Sequence, residues 1–141
     1  MKHMLIMRAT QEAVAAYENT DFEQVINAMG AYNEALMKAG GMVAGDGLAP
    51  EAGYVVEFTA DAEPIVSDGP YGEVHELFNG FWILQTATAD EAIEWAKRCP
   101  LVPGSKLEVR RVTDESDFAA YADNEFIQKE AGWREELETN R

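Results

Sequence analysis

The feature of this sequence that most constrains its fold is an Asp-Gly-Pro turn directly before an apolar, aromatic segment. Residues 67–73 are Ser-Asp-Gly-Pro-Tyr-Gly-Glu, and residues 78–86 include Phe78, Phe81 and Trp82. Proline fixes its own φ and restricts the residue before it, and an aspartate carboxylate accepts bonds from nearby backbone N–H groups. The pattern therefore predicts a rigid turn that holds Asp68 in place, followed by a strand over residues 78–86.

Composition bounds the class of protein. With 141 residues and 47% hydrophobic content, the chain is long enough for one buried core without metal or disulfide crosslinks. Acidic residues outnumber basic ones 26 to 11, and the net charge of −15 argues against a nucleic-acid surface. No apolar run approaches the ~20 residues of a membrane span. We expect a cytoplasmic protein that contacts neither membrane nor nucleic acid.

Hydrophobic periodicity and turn residues divide residues 2–112 into strands and helices. Strands are predicted over residues 2–8, 42–48, 54–59, 63–66, 78–86 and 106–112, with the second and third as neighbours. Capping boxes at residues 20–23 and 88–91 predict two helix starts, and residues 40–41 and Pro100 predict their ends. This order is that of an α+β fold of the ferredoxin-like, split βαβ type, in which two helices cover one face of an antiparallel sheet.

The other face of such a sheet needs a cover. Burial at ~25 cal/mol per Å² of apolar surface adds several kcal/mol, and the simplest cover is a second copy of the same sheet. We therefore predict a homodimer.

Residues 1–112 are predicted to form the domain. Residues 113–141 form an acidic, partly helical extension, because residues 114–141 hold nine Asp or Glu and three Lys or Arg. We expect it to pack on the domain or on the dimer partner.

A series of short motifs carries a family resemblance over residues 2–112. In chain order after the first strand they are Ala31-Tyr32, Gly45-Asp46-Gly47-Leu48-Ala49-Pro50, Val66-Ser67-Asp68-Gly69-Pro70-Tyr71, Glu76-Leu77-Phe78-Asn79-Gly80-Phe81, Asp90-Glu91-Ala92-Ile93-Glu94-Trp95-Ala96 and Glu108-Val109-Arg110. Together they resemble the YCII-related superfamily, in particular its DGPF-domain branch. The resemblance implies a dimeric α+β barrel with a small-molecule pocket between each sheet and its helices.

The chain departs from the family pattern at two positions. Tyr71 stands where the branch name implies Phe, and His75 stands where the family more often has Lys. For the founding YCII branch the resemblance implies a His-Asp pair, whose histidine has no assigned counterpart in this sequence. Family genes are often neighbours of extracytoplasmic-function sigma factors, which the resemblance offers as an association only.

Asp68 is the candidate catalytic residue, and two interpretations stand side by side. If the turn buries its carboxyl group, desolvation raises the pKa of that group toward the range in which it serves as a general acid or base. Alternatively, Asp68 only caps the turn, which is the more frequent role of such aspartates.

Five further residues join Asp68 as candidates for ligand binding, and four of them have a structural alternative. They are Tyr32, Asp46, Tyr71, His75 and Phe81. Tyr32 lies on an apolar helix stripe, where core packing is the more frequent role of such a ring, while Asp46 either faces the same cavity as Asp68 or belongs to an ordinary Asp-Gly turn. His75 is either at a pocket edge or at the surface, and Phe81 lines a pocket or belongs to the core and the dimer contact.

These observations favour a dimeric protein that binds a small organic molecule, with acid-base chemistry centred on Asp68. No cofactor is expected. No metal site is predicted either, because Glu73 and His75 share one face of an extended segment while Glu76 points away. The alternative is a non-catalytic interaction or regulatory module, which the incomplete catalytic set and the acidic extension favour.

Overall fold

The computed structural model describes residues 1–49, 53–60, 62–69 and 76–140. The chain divides into two compact units, Met1–Arg111 and Val112–Arg141. The strands of the first unit are β1 (Lys2–Thr10), β2 (Met42–Gly47), β3 (Gly53–Glu57), β4 (Ile65–Gly69), β5 (Glu76–Gln85) and β6 (Lys106–Arg111). Its helices are α1 (Gln11–Glu18), α2 (Phe22–Lys38) and α3 (Ala89–Lys97). The predicted α+β class with an antiparallel sheet is confirmed.

Two separate sheets are formed by the described strands. The larger has the order β2-β5-β1-β6 with antiparallel pairing throughout, and β3 pairs with β4 in a two-stranded hairpin. The expectation that residues 42–48 and 54–59 are neighbours is therefore wrong. Strand β5 pairs with β1 along one edge and with β2 along the other, and β3 pairs instead with β4, the next strand along the chain.

The helix starts show which capping predictions were right. Thr88 caps α3 as predicted, since its hydroxyl oxygen accepts from the Glu91 N–H at 3.2 Å. Asp21, rather than the predicted Thr20, caps α2, and Thr20 instead donates its hydroxyl to a carbonyl of the preceding helix α1. Helix α1 was not predicted at all. Its N-cap is Thr10, whose hydroxyl oxygen accepts from the Ala13 N–H at 3.0 Å.

The core lies on one face of the large sheet. Leu5, Leu36 and Leu84 are fully buried, and they pack together with Tyr32 and Trp82. Partly buried residues of α2 and α3 add to this cluster, so both helices share that face of the sheet. The strand register places a different set on the opposite face, which is itself apolar: Met4, Ile6, Phe81 and Ile83, of which Ile6 is buried and the other three are partly buried. Strands β1 and β5 thus have one face in the core and a second face that is also apolar.

The second unit consists of a 3₁₀ helix (Glu115–Tyr121) and α4 (Glu125–Thr139). Asp114 and Asn124 are their N-caps, each accepting bonds from backbone N–H groups of the first turn. Helix α4 carries exposed large apolar side chains along one stripe: Phe126, Trp133 and Leu137. In the described part of the chain, no helix combines the length and the apolar character needed to cross a membrane.

Candidate functional site

Two adjoining cavities form a groove between the helices and the large sheet. The first has a volume of about 300 Å³ and the second about 350 Å³. Met7 of β1 and Met29 of α2 line both cavities, which makes them neighbours along one groove. Methionine is unbranched and polarisable, so two methionines form a wall that adapts to ligands of different shape. The combined volume is in the range of small-molecule sites in proteins.

The first cavity is mainly apolar. Its apolar lining comes from Met7, Ala9, Ala13, Val14, Phe22, Val25 and Met29, and its polar lining from Arg8, Tyr17, Thr20, Asn79 and Ser105. Helix α1 contributes one wall and α2 another. An apolar chamber with a few polar groups is the usual composition of a site that binds an organic molecule.

The charge of Arg8 at this cavity is already balanced. Its guanidinium donates through Nε and Nη2 to Glu108 Oε2, at 3.2 and 2.8 Å. Both side chains are only partly exposed, so the pair is less screened by solvent than a surface ion pair. Because the Glu108 carboxylate already neutralises the Arg8 guanidinium, the first cavity suits a neutral apolar molecule better than an anion.

Tyr17 is the polar group on the α1 wall. Burial raises the pKa of its hydroxyl, while bonds to the Val102 backbone and the Ser105 side chain act in the opposite direction. Nearby, burial raises the pKa of the Cys99 thiol to about 12. Cys99 is therefore a thiol rather than a thiolate at neutral pH, and nucleophilic chemistry by this residue is disfavoured.

The second cavity has a floor of small residues. Gly45, Gly47 and Gly80 come from the paired strands β2 and β5, and the other lining residues are Met7, Met29, Asn33, Asp46, Phe81 and Trp82. A Cβ atom added at Gly45 would lie 2.9 Å from Trp82 Cδ1, whereas one added at Gly47 would meet nothing within 4 Å. Gly45 thus admits the tryptophan, and Gly47 leaves open space in the cavity.

The wall behind the second cavity is fixed by hydrogen bonds. Trp82 donates its indole N–H to Asn33 Oδ1 at 2.8 Å, and its ring meets Tyr32 edge-on with centroids 5.7 Å apart. Tyr32 donates its hydroxyl to the Trp95 carbonyl at 2.8 Å. Burial raises the pKa of Tyr32 far above its ordinary value. These contacts hold the groove open by locking the orientations of the large rings.

The structure brings together only part of the predicted site. Asp46 and Phe81 both line the second cavity. Tyr32 is buried in the core beneath it and is absent from the lining of either cavity. Tyr71 and His75 lie outside the described residues. The structure therefore places two of the proposed ligand-binding residues at the groove and a third directly behind it.

Asp68 lies elsewhere. It is part of strand β4, opposite Tyr54 of β3, and it is exposed. The prediction that it sits in the turn is wrong, because β4 continues through Gly69 before the proline that cannot donate a backbone N–H. Asp68 lines neither cavity of the groove.

Sequence reasoning missed most of the groove. Met7, Tyr17, Met29 and Asn33 were not singled out as site residues. Tyr17 lies on α1, which was not predicted, whereas the other three lie on the predicted elements β1 and α2 and come together only when these elements pack. The sequence does contain a signal for α1: Thr10 is a good N-cap, and alanines at positions 13, 15 and 16 favour a helix. Within the described ranges, no group of three or more His, Cys, Asp or Glu side chains is placed to hold a metal ion.

Comparison with known proteins places these features in a family context. The sequence model of the YCII-related domain matches residues 1–116. An uncharacterized protein of Rhizobium meliloti (strain 1021) is 25% identical over 97 residues, which cover 69% of this chain and 78% of that protein. The region matched by the family model, residues 1–116, includes every strand of the large sheet and the residues that line both cavities of the groove.

Proposed function

Because this chain belongs to the YCII-related domain family, and because its sheet and helices enclose a groove, we propose that it binds a small organic molecule. The groove between Met7 and Met29 carries this proposal. Its volume, its apolar lining and the compensated charge of Arg8 favour a largely neutral, apolar ligand with one or two polar substituents. Tyr17, Ser105 and Asn33 are the groups that would orient those substituents.

A cavity-filling substitution tests this proposal. Val25 lines the first cavity and Ile26, its neighbour on α2, is exposed. We expect Val25→Phe to weaken binding of the neutral fluorescent probe N-phenyl-1-naphthylamine about tenfold or more, because the added ring occupies ligand volume. Ile26→Phe is the matched control and should bind the probe as the wild type does. Equal affinities in a fluorescence titration of all three proteins would contradict the proposed site.

We further propose that the protein is a homodimer with the ferredoxin-like topology of a dimeric α+β barrel. The strand order β2-β5-β1-β6 supports the topology, and the second apolar face of the sheet supports the dimer. The Asp68-Gly69-Pro70 motif supports assignment to the DGPF branch. The single cysteine fits our expectation of a cytoplasmic location. Sedimentation equilibrium at micromolar concentration should give twice the chain mass, and a clean monomer would rule the dimer out.

Acid-base catalysis by Asp68 remains part of the proposal. Its carboxylate is opposite the phenol ring of Tyr54 on the same face of the hairpin, which places a proton acceptor beside an aromatic surface. Hydrogen-deuterium exchange on a panel of enolisable ketones, followed by NMR, measures such chemistry. Asp68→Asn should lower any exchange rate by about 10²–10⁴, the usual contribution of a positioned base, while Asp46→Asn should lower it less. An unchanged rate in a correctly folded Asp68→Asn dimer would exclude the role.

The second candidate function is a partner-binding or regulatory module, including one linked to sigma-factor signalling. The exposed stripe of α4, formed by Phe126, Trp133 and Leu137, favours it. This candidate replaces the first if the groove takes up no probe and if alanine at these three positions abolishes binding of a purified protein partner.

A further inference from the structure

The hairpin of β3 and β4, called the arm below, exposes large apolar side chains. Its register places Tyr54, Val56, Val66 and Asp68 on one face, and Val55, Glu57, Ile65 and Ser67 on the other. Tyr54 is 74% exposed and Val66 63% exposed, although both belong to a regular strand pair. The first face, called the apolar arm face, thus combines three large apolar side chains with one carboxylate.

A two-stranded hairpin is marginal by itself in water, and it becomes stable when one face packs against another surface. The arm belongs to the unit Met1–Arg111, where its two strands pair with each other and not with the large sheet. An exposed apolar sheet face of this kind is typical of a protein contact. The question is which surface it contacts.

The distribution of charged residues indicates which surface the arm contacts. The sequence has no Lys or Arg between Lys38 and Lys97, a stretch that includes the whole arm together with Glu57, Glu63 and Asp68. Basic side chains of the first unit concentrate instead on two neighbouring strands of the large sheet, β1 and β6: Lys2, Arg8, Lys106, Arg110 and Arg111. On the face of Met4 and Ile6 the register places Lys106, Arg110 and Arg8 together with Glu108, whereas Arg111 pairs with His3 on the core face. The chain therefore carries an acidic apolar arm and, on the β1–β6 side of the second apolar sheet face, more cations than carboxylates.

The apolar arm face and the β1–β6 side of the second apolar sheet face are complementary, because both are apolar and their net charges have opposite sign. The register pairs Arg110 with Met4 and Lys106 with Arg8, and Ile6 follows on the same face of β1 as Met4. Arg110 makes a long ion pair with Glu108, with 3.7 Å between Arg110 Nε and Glu108 Oε1, and its side chain is 70% exposed. The guanidinium can therefore make a further contact. A carboxylate on an apolar face and a cation beside apolar side chains form a complementary contact that also fixes the register.

We propose that the apolar arm face packs against the β1–β6 side of the second apolar sheet face in another copy of this chain. Two such contacts, related by a twofold axis, hold the homodimer proposed above, and the inference rests on that dimer. In this arrangement Asp68 contacts the sheet face of the partner and does not lie in the groove of its own chain. This arrangement explains why a carboxylate of the family motif lies outside both cavities described for its own chain.

Adjacent valines on β3 provide the test. Val56 belongs to the apolar arm face and is 48% exposed, while Val55 points to the other face and is 42% exposed. We expect Val56→Lys to weaken the dimer about tenfold or more in sedimentation equilibrium, since each dimer loses two buried valines and gains two cations facing a basic surface. Val55→Lys should leave the dimer constant within about threefold. Both positions are exposed in the single chain, so both variants should fold.

Crosslinking gives a second, independent measurement. Val66→Cys and Arg110→Cys chains, mixed and treated with a short bismaleimide, should form a covalent heterodimer. Ser67→Cys mixed with Arg110→Cys should form much less, because Ser67 is on the other face of the arm. A wild-type dimer whose stability responds equally to Val55→Lys and Val56→Lys, or a mixture without the heterodimer, would overturn the arm contact and leave the dimer standing. A monomeric wild type would overturn the proposed dimer itself.

Discussion

Replacing Leu84 with alanine should lower the free energy of unfolding by about 2–5 kcal/mol, the usual cost of truncating a fully buried leucine. Leu84 is fully buried, and it lies in the cluster that joins β5 to α2 through Leu36 and Tyr32. The cavity left behind adds to the lost burial because the packed rings around it relax only in part. Urea unfolding at one fixed protein concentration measures the change.

Its neighbour Ile83 is the control. Ile83 belongs to the opposite face of the same strand and is only partly buried in the single chain. Ile83→Ala should therefore shift the dimer constant more than the unfolding of the monomer. If Leu84→Ala costs less than about 1 kcal/mol, or if both variants behave alike, the assignment of the two sheet faces is wrong.

Replacing Gly45 with alanine should destabilise the protein by about 1–3 kcal/mol, the usual cost of overpacking. The new methyl group would lie 2.9 Å from Trp82 Cδ1, 3.0 Å from Met42 Cε and 3.3 Å from the Phe81 carbonyl oxygen. The tryptophan yields little, because Asn33 holds its indole N–H and Tyr32 packs against its ring. We expect a lower thermal midpoint and a change in Trp82 fluorescence.

The matched control for Gly45→Ala is Gly47→Ala, two residues further along β2. No atom would lie within 4 Å of a Cβ atom at Gly47, and its φ is not positive, so this variant should be as stable as the wild type or slightly more stable. Its methyl group enters the second cavity, so it should weaken binding of a probe that fills that cavity. Equal stability of the two variants would show that Trp82 does not need the space above Gly45.

Sequence patterns predicted the elements of the large sheet well. Its four strands fall within a few residues of the predicted bounds, because β-branched and aromatic runs between glycines and prolines are strong local signals. Helices α2 and α3 have long apolar stripes and capping side chains, and both were predicted. Helix α1 was missed because it has eight residues and a weak apolar pattern.

Strand pairing and the groove were harder to predict for a physical reason. Whether residues 42–48 pair with β3 or with β5 depends on contacts between distant residues, and local propensity carries no information about them. The groove inherits the same difficulty, since Met7 and Met29 meet only after β1 and α2 pack. Asp46 and Phe81 were found because they belong to family motifs, and Asp68 was identified by the same route but misplaced in a turn.

Methionine methyl NMR tests the proposed binding groove most directly. The chain has six methionines, of which Met7 and Met29 line both cavities, while Met1 and Met37 are exposed. In protein labelled with ¹³C at the methionine methyl groups, saturating N-phenyl-1-naphthylamine should shift the Met7 and Met29 signals strongly and leave those of Met1 and Met37 in place. Unchanged Met7 and Met29 signals under conditions where the probe binds would show that the groove is not the binding site.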